Sequence, residues 1–239
     1  GPACGASDPM TIRALVFDVF GTLVDWRSGI AREAERILGP GLDGGAFADA
    51  WRARYQPSLE PIRTGRRPWA DLDILHAESL DEVLAQFGIA GIDGRAKRDL
   101  VLAWHRLDAW PEVSDALARL RGRHWLAPLS NAPVRLAVSL ARHNGWSFDA
   151  VFGGEFSRDY KPKAALYRDA VAAFGFDASQ TLMVAAHSGD LAAAASHGLA
   201  TAHIARPREN GPAGGETVPG VPVTYAATDL ADLARQLGC

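Results

Sequence analysis

The sequence predicts an α/β fold: a doubly wound parallel, Rossmann-like sheet carrying a helical insert after its first strand. Three observations carry that prediction. A short run of strand formers, Ala14 to Phe17, stops abruptly at an acid, Asp18. Roughly 80 residues with purely helical periodicity come next. From Trp110-Pro111 onward helices and strands alternate, a pattern that requires right-handed crossovers and a parallel sheet.

The elements follow from the local patterns. Ala14 to Phe17 is uniformly apolar, as a strand buried on both faces must be. Ile30 to Leu38 sets Ile30, Ala34, Ile37 and Leu38 on one side of a helix, and Gly39-Pro40-Gly41 stops it. Ala46 to Leu59 reads as one helix, with Phe47, Ala50, Trp51 and Tyr55 at helical intervals, and Glu60 to Pro68 as a polar loop. Trp69 to Phe87 is a long helix ended near Gly88, and Gly94 to Leu107 is another. In the second half, helices are expected over 113–120, 133–143, 164–174, 191–197 and 230–237. Strands are expected over 124–129, 150–152, 181–186 and 201–204, with an edge strand over 222–225. Glu209 to Gly220 is a Gly/Pro-rich loop. The resulting division places a core domain in 10–25 and 108–239 and a helical domain in 26–107, with 1–9 read as a tag remnant ahead of a natural start at Met10.

Composition narrows the function. The chain has 239 residues, 48% hydrophobic and 22% charged, which suits one domain or one domain with an insert. A net charge of -3 and the lack of a basic stripe argue against a nucleic-acid partner. The two cysteines, Cys4 and Cys239, provide neither a disulfide framework nor zinc spacing. No apolar stretch reaches membrane-spanning length and no signal peptide is apparent, so a cytoplasmic location is expected.

Polar groups gather where strands end. Asp18 and Thr22 follow the first strand, Ser130 and Asn131 the second, and His187 and Asp190 the strand at 181–186; Lys161 falls in a loop between elements. In a parallel sheet those ends share one edge, so residues distant in sequence meet around one crevice. Each also has a plainer explanation. Asp18 and Gly21 are ordinary turn residues, Ser130 and Asn131 are good helix caps, and Tyr167 is as well suited to a core as to a site. Lysines mostly sit on solvated faces, which covers Lys163. Arg52 and Arg54 compete as the cation of the helical insert.

Asp18-Val19-Phe20-Gly21-Thr22 resembles the first motif of the haloacid dehalogenase superfamily of hydrolases. That motif reads Asp-x-Asp-Gly-Thr in its phosphatases and Asp-x-Tyr/Phe-Gly-Thr in its 2-haloacid dehalogenase branch. Phe20 stands at the discriminating position and can serve neither as acid/base nor as support for magnesium. Leu129-Ser130-Asn131, Lys161-Pro162 followed by Tyr167, and Ala185-Ala186-His187 with Asp190 are similar to the later motifs of the same branch, as is Trp51-Arg52 in the insert. The resemblance covers essentially the whole chain from Arg13. It departs at Gly189, where the family usually carries a tryptophan that lines the substrate pocket.

The resemblance implies a helical cap on the core and cofactor-free hydrolysis of short 2-haloacids, with no metal. Asp18 is the implied nucleophile, with Thr22, Lys161, His187 and Asp190 completing the catalytic set. His187 is expected as a neutral imidazole that serves as base or relay for the hydrolytic water. Arg52, Asn131, Ser130, Phe20 and Tyr167 are the implied substrate and halide contacts, with Trp26, Tyr55 and Trp69 as further candidates for an apolar wall. The expected partners are the haloacid, the released halide and a second copy of the chain in a homodimer. A magnesium-dependent phosphatase or phosphonate hydrolase, and a non-catalytic protein that binds small acids, are the alternatives.

Overall fold

A computed structural model describes residues 11–239; the expected tag remnant, Cys4 and Met10 lie outside the described residues. The first strand, β1 (Ala14–Phe17), is buried along its whole length. Five helices follow: α1 (Trp26–Leu38), α2 (Gly44–Ala53), α3 (Tyr55–Arg63), α4 (Leu72–Gln86) and α5 (Gly94–Ala103), with a 3-10 turn over Trp104–Arg106. The chain then runs through α6 (Val113–Arg121), β2 (Trp125–Ser130), α7 (Val134–Asn144), β3 (Phe152–Gly153), α8 (Gly154–Ser157) and α9 (Ala164–Phe174). It ends with β4 (Thr181–Ala185), α10 (Ser188–Ser196), β5 (Ala200–Ile204), β6 (Tyr225–Ala227) and α11 (Leu230–Gln236).

The strands form one parallel sheet in the order β3-β2-β1-β4-β5-β6. β1 is central, with Val16 paired to Ala127 on one side and to Met183 on the other. Successive side chains of a strand point to opposite faces, and the core divides accordingly. Leu15 and Phe17 pack with Leu117, Leu136 and Leu233, so α6, α7 and α11 cover one face. Ala14 and Val16 pack with Leu166, Ala170 and Leu191, so α9 and α10 cover the other. Helices on both faces of a parallel sheet make the doubly wound arrangement expected from the alternation.

Local chemistry explains where boundaries move. α1 starts at Trp26 rather than Ile30 because the Asp25 carboxylate accepts from the Ser28 amide and caps the helix there. The single helix expected over 46–59 is two, broken at Arg54. Pro57 has no N–H and would clash with the Ala53 carbonyl in a continuous helix, whereas it is tolerated in the first turn of a new one. α3 then continues to Arg63 through Pro61, so the first part of the expected loop is helical. The last strand forms at Tyr225–Ala227 instead of 222–225.

Candidate active site

The strand order reverses between β1 and β4, and in open α/β sheets the crevice beyond the carboxyl ends at such a point is where ligands bind. Asp18 directly follows β1, and His187 and Asp190 follow β4. Thr22 ties the two strand ends together. Its hydroxyl donates to Asp18 Oδ2 at 2.7 Å and accepts from the Ala186 amide at 2.9 Å. Ser130 closes β2 and its Oγ accepts from the Ala132 amide. Gly153, at φ 142°, lets β3 pass close by, because a Cβ there would meet the Ser130 carbonyl at 1.8 Å.

Lys161 reaches the centre of this edge. Its Nζ lies 3.2 Å from Asp18 Oδ1 and 2.6 Å from Asp190 Oδ2, and Tyr167 donates to Asp190 Oδ1 at 2.6 Å. The Lys161 amide donates to Asn131 Oδ1, and Asn131 Nδ2 donates to the Tyr55 hydroxyl at 2.7 Å. Lys163, by contrast, is exposed. Tyr167 therefore belongs both to the core and to this network.

The charges are mutually dependent. Burial alone would raise the Asp18 carboxyl, but Lys161, His187 and the Thr22 hydroxyl outweigh it and hold the group well below the usual carboxylate range. Burial disfavours the Lys161 ammonium, yet Asp190 and Asp18 push it up to about 12. Asp190 is displaced upward, by burial first and then by the Asp18 charge, against the pull of Lys161.

His187 differs from the neutral imidazole expected. Its Nδ1 donates to Asp18 Oδ2 at 3.1 Å and its Nε2 to Glu209 at 2.8 Å. Burial works against the charged ring, but the two carboxylates raise it to about 10, so the resting imidazole is a cation at neutral pH. A pH prediction follows from that sign. The stabilisation is complete below the ordinary value of 6.5 and is lost as the pH rises through about 10. The thermal-midpoint difference between the wild type and His187→Gln is expected to shrink between about pH 6 and about pH 10.5. A difference that grows over that range would contradict the pairing.

The insert supplies the opposite wall. Arg52 lies 4.0 Å from the Tyr55 ring centroid and 5.5 Å from those of Phe20 and Trp26, and its Nη1 is buried with no hydrogen-bond partner. Arg54 is instead bound to Glu82 and Gln86 on the surface, so of the two arginines only Arg52 lines the cavity. Asp18, Phe20, Arg52, Tyr55, Lys161 and His187 line one cavity of about 370 Å³. Ser130, Asn131, Tyr167, Gly189 and Asp190 border it as well. Nine of the ten catalytic and substrate-contact residues expected from the sequence thus line this cavity, and the tenth, Thr22, sits buried beneath Asp18. Trp26 touches Arg52 without lining the cavity, and Trp69 stacks on Tyr160 at 4.7 Å instead. A larger groove of about 810 Å³ runs past Asp25, Glu112 and Asp229. Those acids are already engaged, Asp25 and Asp229 in helix caps and Glu112 with Arg206.

Gln56 and Arg63 also line the cavity without having been singled out, and sequence reasoning missed Glu209 because it lies in a loop with no periodic signal. Its carboxylate accepts from both His187 Nε2 and Trp26 Nε1. Gly21 admits it: φ is 86° there, and a Cβ would meet Glu209 Oε2 at 1.9 Å. Two cations already flank Asp18, which makes these carboxylates a poor donor set for a divalent metal. Among the described residues no group of three or more His, Cys, Asp or Glu is arranged to hold one.

A parallel α/β sheet with an ionised acid at its switch point places reactive groups where such folds bind ligands, and sequence comparison assigns the class, a hydrolase, and the family. The model of the haloacid dehalogenase-like hydrolase family matches residues 12–198, and the chain belongs to that family. It is 30% identical over 197 residues to an (S)-2-haloacid dehalogenase of Xanthobacter autotrophicus, covering 82% of this chain and 76% of that one. Among solved structures it resembles a defluorinating L-2-haloacid dehalogenase, with TM-score 0.91, 41% identity and coverage of 95% and 96%. It also resembles the L-2-haloacid dehalogenase from Xanthobacter autotrophicus with chloropropionic acid covalently bound, with TM-score 0.81, 26% identity and coverage of 95% and 99%.

Proposed function

We propose that the chain hydrolyses the carbon–halogen bond of short 2-haloalkanoic acids, haloacetates and (S)-2-haloacids, to 2-hydroxy acids and halide. The observation that carries this reading is Arg52: a caged guanidinium with a buried, unpartnered N–H on the cavity that holds Asp18. A leaving halide or a substrate carboxylate is the anion such a group needs. Asp18 attacks the halogen-bearing carbon from the side opposite the halide and forms an ester. Water, handled by His187 and Asp190, then cleaves that ester at the Asp18 carbonyl. Splitting one hard displacement into two easier steps is the gain from covalent catalysis. Lys161 and Thr22 hold Asp18 ionised and oriented. Arg52 and Asn131 stabilise charge on the departing halide, Ser130 binds the substrate carboxylate, and Phe20 and Tyr167 shape the pocket. The ester route on this family's fold is supported by the chloropropionic acid covalently bound in the Xanthobacter structure.

In this reading 26–107 acts as a cap over a core of 10–25 and 108–239, keeping water away during the displacement. A homodimer, resting on the resemblance, and a cytoplasmic location, resting on the sequence's lack of a spanning stretch or signal peptide, complete the proposal. Among the described residues, no helix is long and apolar enough to cross a membrane.

The test is halide release from chloro-, bromo- and fluoroacetate and from both enantiomers of 2-chloropropionate, with a chelator present. Turnover with chelator is expected. Its loss on chelation, together with phosphate release from a generic phosphate ester, would establish the metal-dependent alternative. Arg52→Lys keeps the charge but loses the flat multidonor group. It is expected to lower kcat/KM for chloroacetate roughly a hundredfold, and a change of less than about threefold would remove Arg52 from the mechanism.

A further inference from the structure

The chain surrounds its imidazole in a way the proposed chemistry does not by itself require. His187 is held at both ring nitrogens by acids remote in sequence, Asp18 at Nδ1 and Glu209 at Nε2. Glu209 is only 7% exposed at its side chain, is fixed by the Trp26 indole N–H, and occupies space that only a glycine at position 21 leaves free. The charged groups against the ring are Asp18 from the end of β1 and Glu209 from the loop after β5, with Lys161 behind Asp18.

Resting on the aspartyl-ester reading, we propose that Glu209 is a positioning residue that makes His187 the base of the second step, while the Asp18 anion masks that base until the first is complete. While Asp18 is an anion it holds the Nδ1 proton. The displacement converts Asp18 into a neutral ester and expels halide. Nδ1 then no longer faces a charge, and its proton leaves to solvent. Glu209 keeps the Nε2 proton, which fixes the tautomer with Nδ1 as acceptor. Water adds to the Asp18 carbonyl carbon as one of its protons passes to Nδ1. The ester bond breaks, and the leaving alkoxide takes that proton to become the hydroxyl of the product. The remaining proton, on the Asp18 carboxyl, passes to Nδ1 and restores the imidazolium–carboxylate pair. One proton is released per turnover, as hydrolysis of an ester to an ionised acid and an alcohol requires. Orientation of a catalytic base by a third group is the general logic of catalytic triads.

The experiment uses the full chain with chloroacetate, following halide by rapid quench and the Asp18 adduct by intact-protein mass. Glu209→Gln is expected to keep the first-turnover halide burst. Ester breakdown should slow by about a hundredfold or more, so the adduct accumulates. The midpoint of the rise of breakdown rate with pH should also move down by about one unit or more, because the acid that favours the charged ring is gone. Glu209→Asp is expected to restore part of both effects. Trp26→Phe, which removes only the indole N–H, should give a smaller shift in the same direction and provides the test should Glu209→Gln not fold. Adduct formation with unchanged breakdown rate and unchanged pH midpoint in Glu209→Gln would overturn the role of Glu209 alone. A wild type that releases halide without ever carrying an adduct would overturn the ester reading beneath it.

Discussion

Asp18→Asn is expected to abolish halide release, lowering the rate by roughly four orders of magnitude or more. The amide has nearly the same shape, so the local packing around β1 should survive. What is lost is the anionic oxygen that forms the new carbon–oxygen bond, together with the charge that faces Lys161 and His187. A single turnover of the wild type in oxygen-18 water gives the complementary result. Label should enter Asp18 first and reach the product only in later turnovers, because water attacks the Asp18 carbonyl rather than the substrate carbon. Label appearing directly in the first product would mean direct attack by water, and halide release from Asp18→Asn within about tenfold of the wild type would dispose of the nucleophile.

Lys161→Met should have the largest effect on the fold as well as on turnover. Its ammonium, 11% exposed at the side chain, is shared by two buried carboxylates. Removing one partner from a buried ion pair leaves the other charge uncompensated and costs about 3–5 kcal/mol. Here two acids would be left, so Asp18 would also lose the neighbour that most favours its ionised form. Urea unfolding measures the first effect and halide release the second. Lys161→Arg should recover little activity, because a planar guanidinium does not fit the space of a point charge between two oxygens. A variant with wild-type stability and turnover would mean that the ammonium is not the shared counter-ion of the site.

The sequence is informative wherever one residue type has one structural use. The apolar run at Ala14 to Phe17 had to be an interior strand, and the alternation after Pro111 had to produce parallel neighbours. The acids, the serine and the amide placed at strand ends then had to converge, and they did, joined by Lys161 from a loop. Contacts whose partners are far apart were less visible. Nothing near Glu209 in the sequence signals a site, since its function depends on a loop returning across the sheet edge to a glycine at position 21. The protonation of His187 could not be read for the same reason: both acids that charge it come from other parts of the chain. The helix break at Arg54 was legible in principle, because Pro57 forbids the bond that a continuous helix needs, but periodicity alone ran straight through it.

The return of that loop affects how kinship is judged. The family match ends at residue 198, and Glu209 lies beyond it. Two proteins alike through the matched segment, motifs included, would be classed together whichever residue faced the imidazole from this loop. The charged ring would have two acids against it in one and Asp18 alone in the other, and on the proposed mechanism their second steps would differ in speed and in pH range. On the proposed mechanism, then, the nucleophile lies inside the segment by which the family is assigned, while the group that orients the base for ester release lies outside it.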